Sequence, residues 1–355
     1  MIRTAVIGYG LSAKVFHLPF LRCLPGFALV AISTSQPAAA SLYPHVNVYP
    51  DADSLLDSTD AELVVICAPN NEHARLAERA LRLGKHVVVE KPLACSFADA
   101  VSLQALALSQ QKMLAVFHNR RFDDDFLALQ QLLTSGQIGA ARLLISRYDR
   151  CRPLVKARWK ESAAPGNGIL WDLAPHLLDQ AIALFGRPDA ITAHCLALRD
   201  AALAEPLPGI DPHFKAGTDY FQLTLHYQAS ANRKALAVQL GSSPYQHLEP
   251  VRFELHAEQG SFRCFGVDPQ EALLAQDVLA FDSQAQRHGE LHRQGQSQQY
   301  LLPRGDYSQF YRKLAAQLQT GTLQPPVPVE DALLGIQLLE LAEQSSRQGR
   351  TIYLP

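Results

Sequence analysis

The sequence predicts an α/β protein: an N-terminal doubly wound parallel sheet, then a C-terminal α/β domain on a large open, mainly antiparallel sheet. Three observations predict it. A short apolar strand over residues 2–7 runs straight into Gly8-Tyr9-Gly10-Leu11-Ser12-Ala13, after which strands and helices alternate to about residue 120. From about 190 to 300, strand-like runs recur with turns rather than long helices between them. At 355 residues the chain also exceeds the usual single-domain size, so two domains are expected, 1–120 and 121–355.

The first domain reads in order. The turn after the first strand has the form G-x-G-x-x-A and opens a helix over 11 to about 23. Gly8 permits the tight turn, Gly10 lets backbone approach a pyrophosphate, and Ala13 allows close helix–strand packing, the signature of a Rossmann dinucleotide site. A second strand spans 27–32. Where a carboxylate would hold the ribose 2′-hydroxyl of NAD, this chain has Ser33-Thr34-Ser35-Gln36. Nothing there repels a 2′-phosphate and three hydroxyls can bond to it, so NADP(H) is favoured and NAD(H) remains possible. A short strand over 46–49 and a helix over 53–57 follow. The next strand, 61–67, ends in Ala68-Pro69-Asn70-Asn71, and a helix over 72–83 is stopped by Gly84. Residues 85–89 form a strand ending in Glu90-Lys91-Pro92, with three valines, β-branched and apolar, before the two charges. A helix over 97–110 and a strand over 113–117 lead to His118-Asn119-Arg120-Arg121.

In the second half, a helix from about 123 ends at Gly136 and 142–150 alternates like a strand. A polar loop with Arg158, Trp159 and Gly166-Asn167-Gly168 precedes a helix over 169–185. Strands are expected over 190–198, 219–227, 234–241, 251–258 and 260–264, a Gln-rich loop near 294–299, and helices over 306–320 and 329–347.

Composition narrows the function. Hydrophobic residues at 48% against 19% charged are those of a globular protein with ample core, and a net charge of −2 argues against nucleic acid or a membrane surface as partner. No basic-then-apolar leader precedes the first strand, and no apolar run reaches the roughly 18–20 residues of a bilayer span. The six cysteines are dispersed, without C-x-x-C or histidine clusters, and read as free, mostly buried thiols in a reducing cytoplasm.

Two places can carry chemistry. Ligands of parallel α/β sheets bind outside the carboxyl ends of strands, so Lys91 is either a reactive group or a solvated strand-end charge. Asp172 and His176, four apart on the expected helix 169–185, share one face, and the carboxylate can orient the imidazole as acid–base chemistry requires. The same pair could instead be a helix-capping Asp and a satisfied structural His. Two ligands do not make a zinc site and no third is evident, so no metal is expected.

The ordered set of the glycine turn, Glu90-Lys91-Pro92 and Gly168-x-x-x-Asp172-x-x-x-His176 resembles the Gfo/Idh/MocA family of nicotinamide-dependent sugar and polyol oxidoreductases. Phe16-His17-x-Pro19, Ala68-Pro69-Asn70-x-x-His73, Asn119-Arg120-Arg121, Arg158-Trp159 and the segment 266–272 extend the likeness over essentially the whole chain, toward the branch with NADP-linked scyllo-inositol dehydrogenases. The resemblance implies Lys91, Asp172 and His176 as catalytic residues. Arg158 and Trp159 are either a wall of the substrate pocket or, equally, a packed aromatic beside a solvated Arg. Gly8, Gly10, Leu11, Ser12 and Ala13 would hold the pyrophosphate, and Ser33, Thr34 and Ser35 the adenosine ribose. Pro69, Asn70, His73, Glu90, Lys91 and Asn119 are the remaining cofactor contacts. It further implies a homodimer or larger homo-oligomer through the C-terminal sheet, and oxidation of a secondary alcohol of a sugar or cyclitol. His176 would be the base, with Lys91 an alternative. Some NADP-using relatives place Arg where this chain has Thr34. A nucleotide-binding sensor without catalysis, or a reductase of a non-sugar carbonyl, would share the same fold.

Overall fold

In the computed structural model, which describes residues 1–156, 158–200, 214–231, 233–276 and 286–355, Val87, Val88 and Val89 are wholly buried inside a parallel sheet. The strands of that sheet are β1 (Ile2–Ile7), β2 (Phe27–Ser33), β3 (Asn47–Tyr49), β4 (Leu63–Ile66), β5 (His86–Val89) and β6 (Leu114–Val116). Their order is β3-β2-β1-β4-β5-β6, the doubly wound arrangement with its reversal point between β1 and β4. The register is level at one edge: Ile7 lies beside both Ser33 and Ile66, Ile66 beside Val89, and Val89 beside Val116. Gly8, Thr34, Cys67, Glu90 and Phe117 therefore leave the sheet at the same edge.

The described chain divides into two compact units. The first comprises Met1–Phe122, Pro269–Gln284 and Asp306–Ile336; the second Asp123–Asp268, Ala285–Gly305 and Gln337–Pro355. The core of the first unit brings Phe20, Phe27 and Phe117 against Tyr307, Phe310 and Tyr311, so a late helix, Ser308–Gln319, completes a core begun by the N-terminal strands.

In the second unit the strands are β7 (Ala141–Arg147), β8 (Ala190–Leu196), β9 (Tyr220–Tyr227), β10 (Leu236–Ser242), β11 (Val251–Ala257), β12 (Gly260–Phe265), β13 (His288–Arg293), β14 (Gln296–Leu301) and β15 (Ile352–Tyr353). They form one sheet ordered β14-β13-β12-β11-β7-β10-β9-β8-β15, antiparallel except where β10 runs parallel to β7. The helix Gly168–Phe185 buries Leu170, Leu173, Leu177, Leu178 and Ala181 and packs on β9 and β10. The Ser345 and Ser346 hydroxyls accept bonds from Ala193 and Cys195 of β8, satisfying donors near the sheet edge.

Several sequence expectations are corrected. The helix over 11–23 contains a π-turn over Ala13–His17, closed by a bond from the Leu18 amide to the Ala13 carbonyl, before regular helix at Leu18–Cys23. The residues near 294–299 are not a loop: β13 and β14 form a hairpin, Arg293 pairing with Gln296. Gln294 and Gly295 make its two-residue turn with φ of +51 and +75, and β14 is an exposed edge strand of glutamines with no apolar alternation to betray it. The short helix Ala38–Leu42 and strand β15 were not legible either. The six cysteines are free, but only Cys264 is fully buried; Cys23 and Cys151 are exposed.

The largest fully buried side chain of the second unit is Arg252. Its guanidinium donates to Gln180 Oε1 at 2.6 Å and Ser146 Oγ at 2.8 Å, lies 3.8 Å from the Asp125 carboxylate, and stacks 4.0 Å over the Phe253 ring. Removing one member of a buried ion pair strands the other's charge. Arg252→Ala should therefore lower unfolding free energy by about 3–5 kcal/mol in denaturant titration. A loss under about 1 kcal/mol, the scale of surface ion pairs, would contradict this account.

Candidate active site

The glycine turn has the geometry its sequence requires. Gly8 has φ of +94, and a Cβ there would sit 2.6 Å from the Cys67 carbonyl oxygen. Its amide donates to the Ser33 carbonyl at 3.1 Å and the Ser33 hydroxyl at 3.3 Å, latching the turn to the end of β2. Ser33 is thus buried and occupied structurally, while Thr34 is half-buried and Ser35 exposed. Gly10 is exposed, with nothing within 4 Å of the position a Cβ would take. Backbone amides at the start of a helix and an open approach over Gly10 fit the pyrophosphate of a dinucleotide.

Beside this turn sits a buried carboxylate. Glu90 follows β5 directly and accepts from the Ser12 hydroxyl, from His17 Nε2 at 3.0 Å, and from the Lys91 amide at 3.1 Å. His17 is fully buried, and its Nδ1 lies 2.5 Å from the Tyr311 hydroxyl. Both ring nitrogens of His17 thus face an oxygen, and burial together with the nearby Cys67 and Glu90 keeps the Tyr311 phenol well above its usual range. Burial pushes the Glu90 carboxyl up, but the bond from His17 and the charge of its protonated ring, then the Lys91 ammonium and the Ser12 bond, outweigh it and hold it at about 2. Sequence reading assigned His17 no role; its partner Tyr311 is 294 residues away, so only the fold reveals the pair.

The next turn is fastened from its other side. His73, also buried, places Nδ1 2.6 Å from the Pro92 carbonyl and Nε2 2.9 Å from the Ala68 carbonyl. Both carbonyls can only accept, so holding the two together takes two ring N–H groups; these bonds favour the second proton, while burial works against it and lowers the pKa overall. His73 thereby ties Pro92 to the loop carrying Pro69 and Asn70. Pro69 is exposed, Asn70 and Lys91 are partly exposed, and Asn119 is buried after β6.

In the second unit, Asp172 and His176 lie on the helix Gly168–Phe185 at the expected spacing, Asp172 partly exposed and His176 buried. Pro175 between them lacks the amide that would bond to the Trp171 carbonyl. Gly168 starts the helix at φ of +82, where a Cβ would lie 2.9 Å from the Thr218 carbonyl, so this glycine is demanded by a close backbone approach. The turn bearing Arg158 and Trp159 is anchored through Glu161, which pairs with Arg158 at 2.9 Å and with Arg199 at 3.1 Å; Arg199 in turn pairs with Asp219 at 2.9 Å. Trp159 is 40% exposed, with the Lys160 ammonium 5.4 Å from the centre of its ring. The guanidinium of Arg152 is lowered by burial and by Arg150 and Arg158, opposed by the carboxylates of Glu161 and Asp172.

A doubly wound sheet with an intact glycine turn, and a second unit on a large mixed sheet, are the fold of a nucleotide-binding oxidoreductase, and the comparisons supply the family. Residues 2–118 match the model of the oxidoreductase family with NAD-binding Rossmann fold, and residues 130–354 match its C-terminal alpha/beta domain. The chain belongs to the Gfo/Idh/MocA family. It is 37% identical to uncharacterized oxidoreductase YdgJ of Escherichia coli (strain K12) over 364 residues, 99% of each chain. It is 32% identical to scyllo-inositol 2-dehydrogenase (NADP(+)) IolW of Bacillus subtilis (strain 168), over 99% of this chain and 96% of the relative. The crystal structure of an oxidoreductase from Bacillus cereus superposes with a TM-score of 0.83 at 27% identity, covering 100% of this chain and 99% of that one.

The depressed Glu90 carboxyl has a measurable consequence. Its folded value of about 2 lies below the ordinary 4.5, so the ionised form stabilises the protein above about pH 4.5, and that contribution is lost as pH falls toward 2. The advantage of wild type over Glu90→Gln in denaturant unfolding at pH 7 should be on the order of 3 kcal/mol and shrink across that window. A pH-independent difference would show that the ionised carboxylate is not the stabilising form.

Proposed function

We propose that the protein is an NADP(H)-preferring dehydrogenase that interconverts a secondary alcohol and a ketone on a sugar or cyclitol, with NAD(H) a weaker alternative. The observation that carries the reading is Glu90. One carboxylate accepts from Ser12 of the glycine turn and from the amide of Lys91, so the nucleotide turn and the candidate reactive lysine share a fixed anchor. The relatives support the substrate class: besides IolW, an inositol 2-dehydrogenase of Rhizobium meliloti (strain 1021) is 27% identical over 73% of this chain. Ser33-Thr34-Ser35, with no carboxylate among them, supports the 2′-phosphorylated cofactor.

Gly8, Gly10, Leu11, Ser12 and Ala13 would hold the pyrophosphate of such a cofactor, Thr34 and Ser35 its ribose, and Pro69, Asn70, His73, Glu90, Lys91 and Asn119 would bind or support its nicotinamide half. The bound cofactor supplies the hydride acceptor in one direction and the donor in the other. The chain's own residues do the rest. His176 takes the hydroxyl proton of the substrate on alcohol oxidation and returns it on ketone reduction, and Asp172 orients the ring. Lys91 donates hydrogen bonds to the reacting oxygen as negative charge develops there. Arg158 and Trp159 contact the sugar. No metal is required in this scheme, because an ammonium serves the developing oxyanion.

With the polyol or keto-sugar that the wild type turns over, Lys91→Met should cost ~10²-fold or more in kcat while cofactor affinity stays within about threefold. Turnover near the wild-type rate in that variant would remove Lys91 from the chemistry.

A further inference from the structure

Thr34 stands where a cation would follow the second strand, and the loop 33–36 contributes none. The first helix does. Lys14 begins one turn after Gly10, its amide bonding to the Gly10 carbonyl at 3.1 Å, so its side chain leaves the helix next to the nucleotide turn. The ammonium lies 3.1 Å from Gln36 Oε1 and 4.3 Å from the centroid of the Tyr9 ring. Gln36 is itself placed by two bonds: its side-chain amide donates to the Tyr9 carbonyl at 3.2 Å, and its backbone amide to the Thr34 hydroxyl at 3.0 Å. The cation therefore rests over the end of β2, the position at which dinucleotide folds meet the 2′ substituent of the adenosine ribose.

The charge there is uncompensated. Among the described residues Lys14 makes no ion pair; its contacts are a neutral amide oxygen and an aromatic face. The neighbouring cation adds the same sign: Arg22 lies 5.4 Å over the Tyr43 ring, and that ring meets Tyr9 edge-on at 6.0 Å. A ribose hydroxyl gains little from such an ammonium. A 2′-phosphomonoester carries between about −1.5 and −2 charge at neutral pH and accepts charge-assisted bonds. Lys14 can reach it by exchanging Gln36 for the phosphate, with the exposed Ser35 hydroxyl and that of Thr34 as further donors.

We infer that Lys14 is the specificity-determining residue for the 2′-phosphate, supplying from the first helix the cation that the second-strand loop lacks; this rests on the nucleotide-binding reading above. Binding titrations with NADPH, NADH and the fragments 2′,5′-ADP and 5′-ADP test it on wild type, Lys14→Gln and Lys14→Arg. The expected result is an approximately tenfold weaker Kd of Lys14→Gln for NADPH and 2′,5′-ADP. Its affinity for NADH and 5′-ADP should be unchanged, and Lys14→Arg should retain the preference. Unchanged NADPH affinity in Lys14→Gln overturns the inference and leaves the nucleotide reading standing. So does equal weakening for all four ligands, which would make Lys14 a packing residue, and so does a wild type that binds NADH as tightly as NADPH. Failure of the wild type to bind either dinucleotide brings down both.

Discussion

A single buried carboxylate organises the first unit. Glu90 enters the interior at the end of a strand of three fully buried valines, where an uncompensated charge would cost several kcal/mol. It is tolerated because Ser12, His17 and the Lys91 amide all donate to it, and each of these comes from an element that matters on its own account. Ser12 belongs to the phosphate turn, His17 to the π-turn of the first helix, and Lys91 to the candidate chemistry. The constraint runs in both directions: the donors keep Glu90 ionised, and the ionised group fixes the turn and the lysine.

Around that centre the chain uses imidazoles as buried struts. His17 reaches from Glu90 to Tyr311 in the helix Ser308–Gln319, while His73 joins the Pro92 and Ala68 carbonyls. A π-turn over Ala13–His17 accompanies the first strut, and the extra residue it accommodates is the local departure from regular helix in this stretch. In the second unit Glu161 plays a comparable part, drawing Arg158 and Arg199 together beneath the turn that exposes Trp159. These anchors fasten the loops that carry the candidate site residues.

The fold was legible because its signals are local. Continuous β-branched runs, a glycine turn straight after the first strand and helices ended by Gly84 and Gly136 each act over a few residues, and their alternation implies a parallel sheet, whose strand order only the fold reveals. The family, too, follows from short motifs in a fixed order. What escaped was non-local or unpatterned. The role of His17 depends on Tyr311, 294 residues later, and the anchoring of Arg158 on Arg199 and Asp219. The edge strand β14 is glutamine-rich and exposed, so neither periodicity nor composition separates it from a loop. Lys14 passed unnoticed because a lysine on the exposed face of a helix has no sequence signature; only its distance to Gln36 gives it meaning.

In the proposed reaction a carbinol hydrogen of a sugar or cyclitol passes to a nicotinamide, with Lys91, Asp172 and His176 as the acting side chains. The most direct measurement uses a polyol substrate deuterated at the reacting carbon, with NADP(+) as oxidant and NMR of the reduced cofactor as readout. Direct transfer puts deuterium at nicotinamide C4, with ketone formed in equal amount. Reduced cofactor free of deuterium, or no reduction with any polyol although the nucleotide binds, would contradict it.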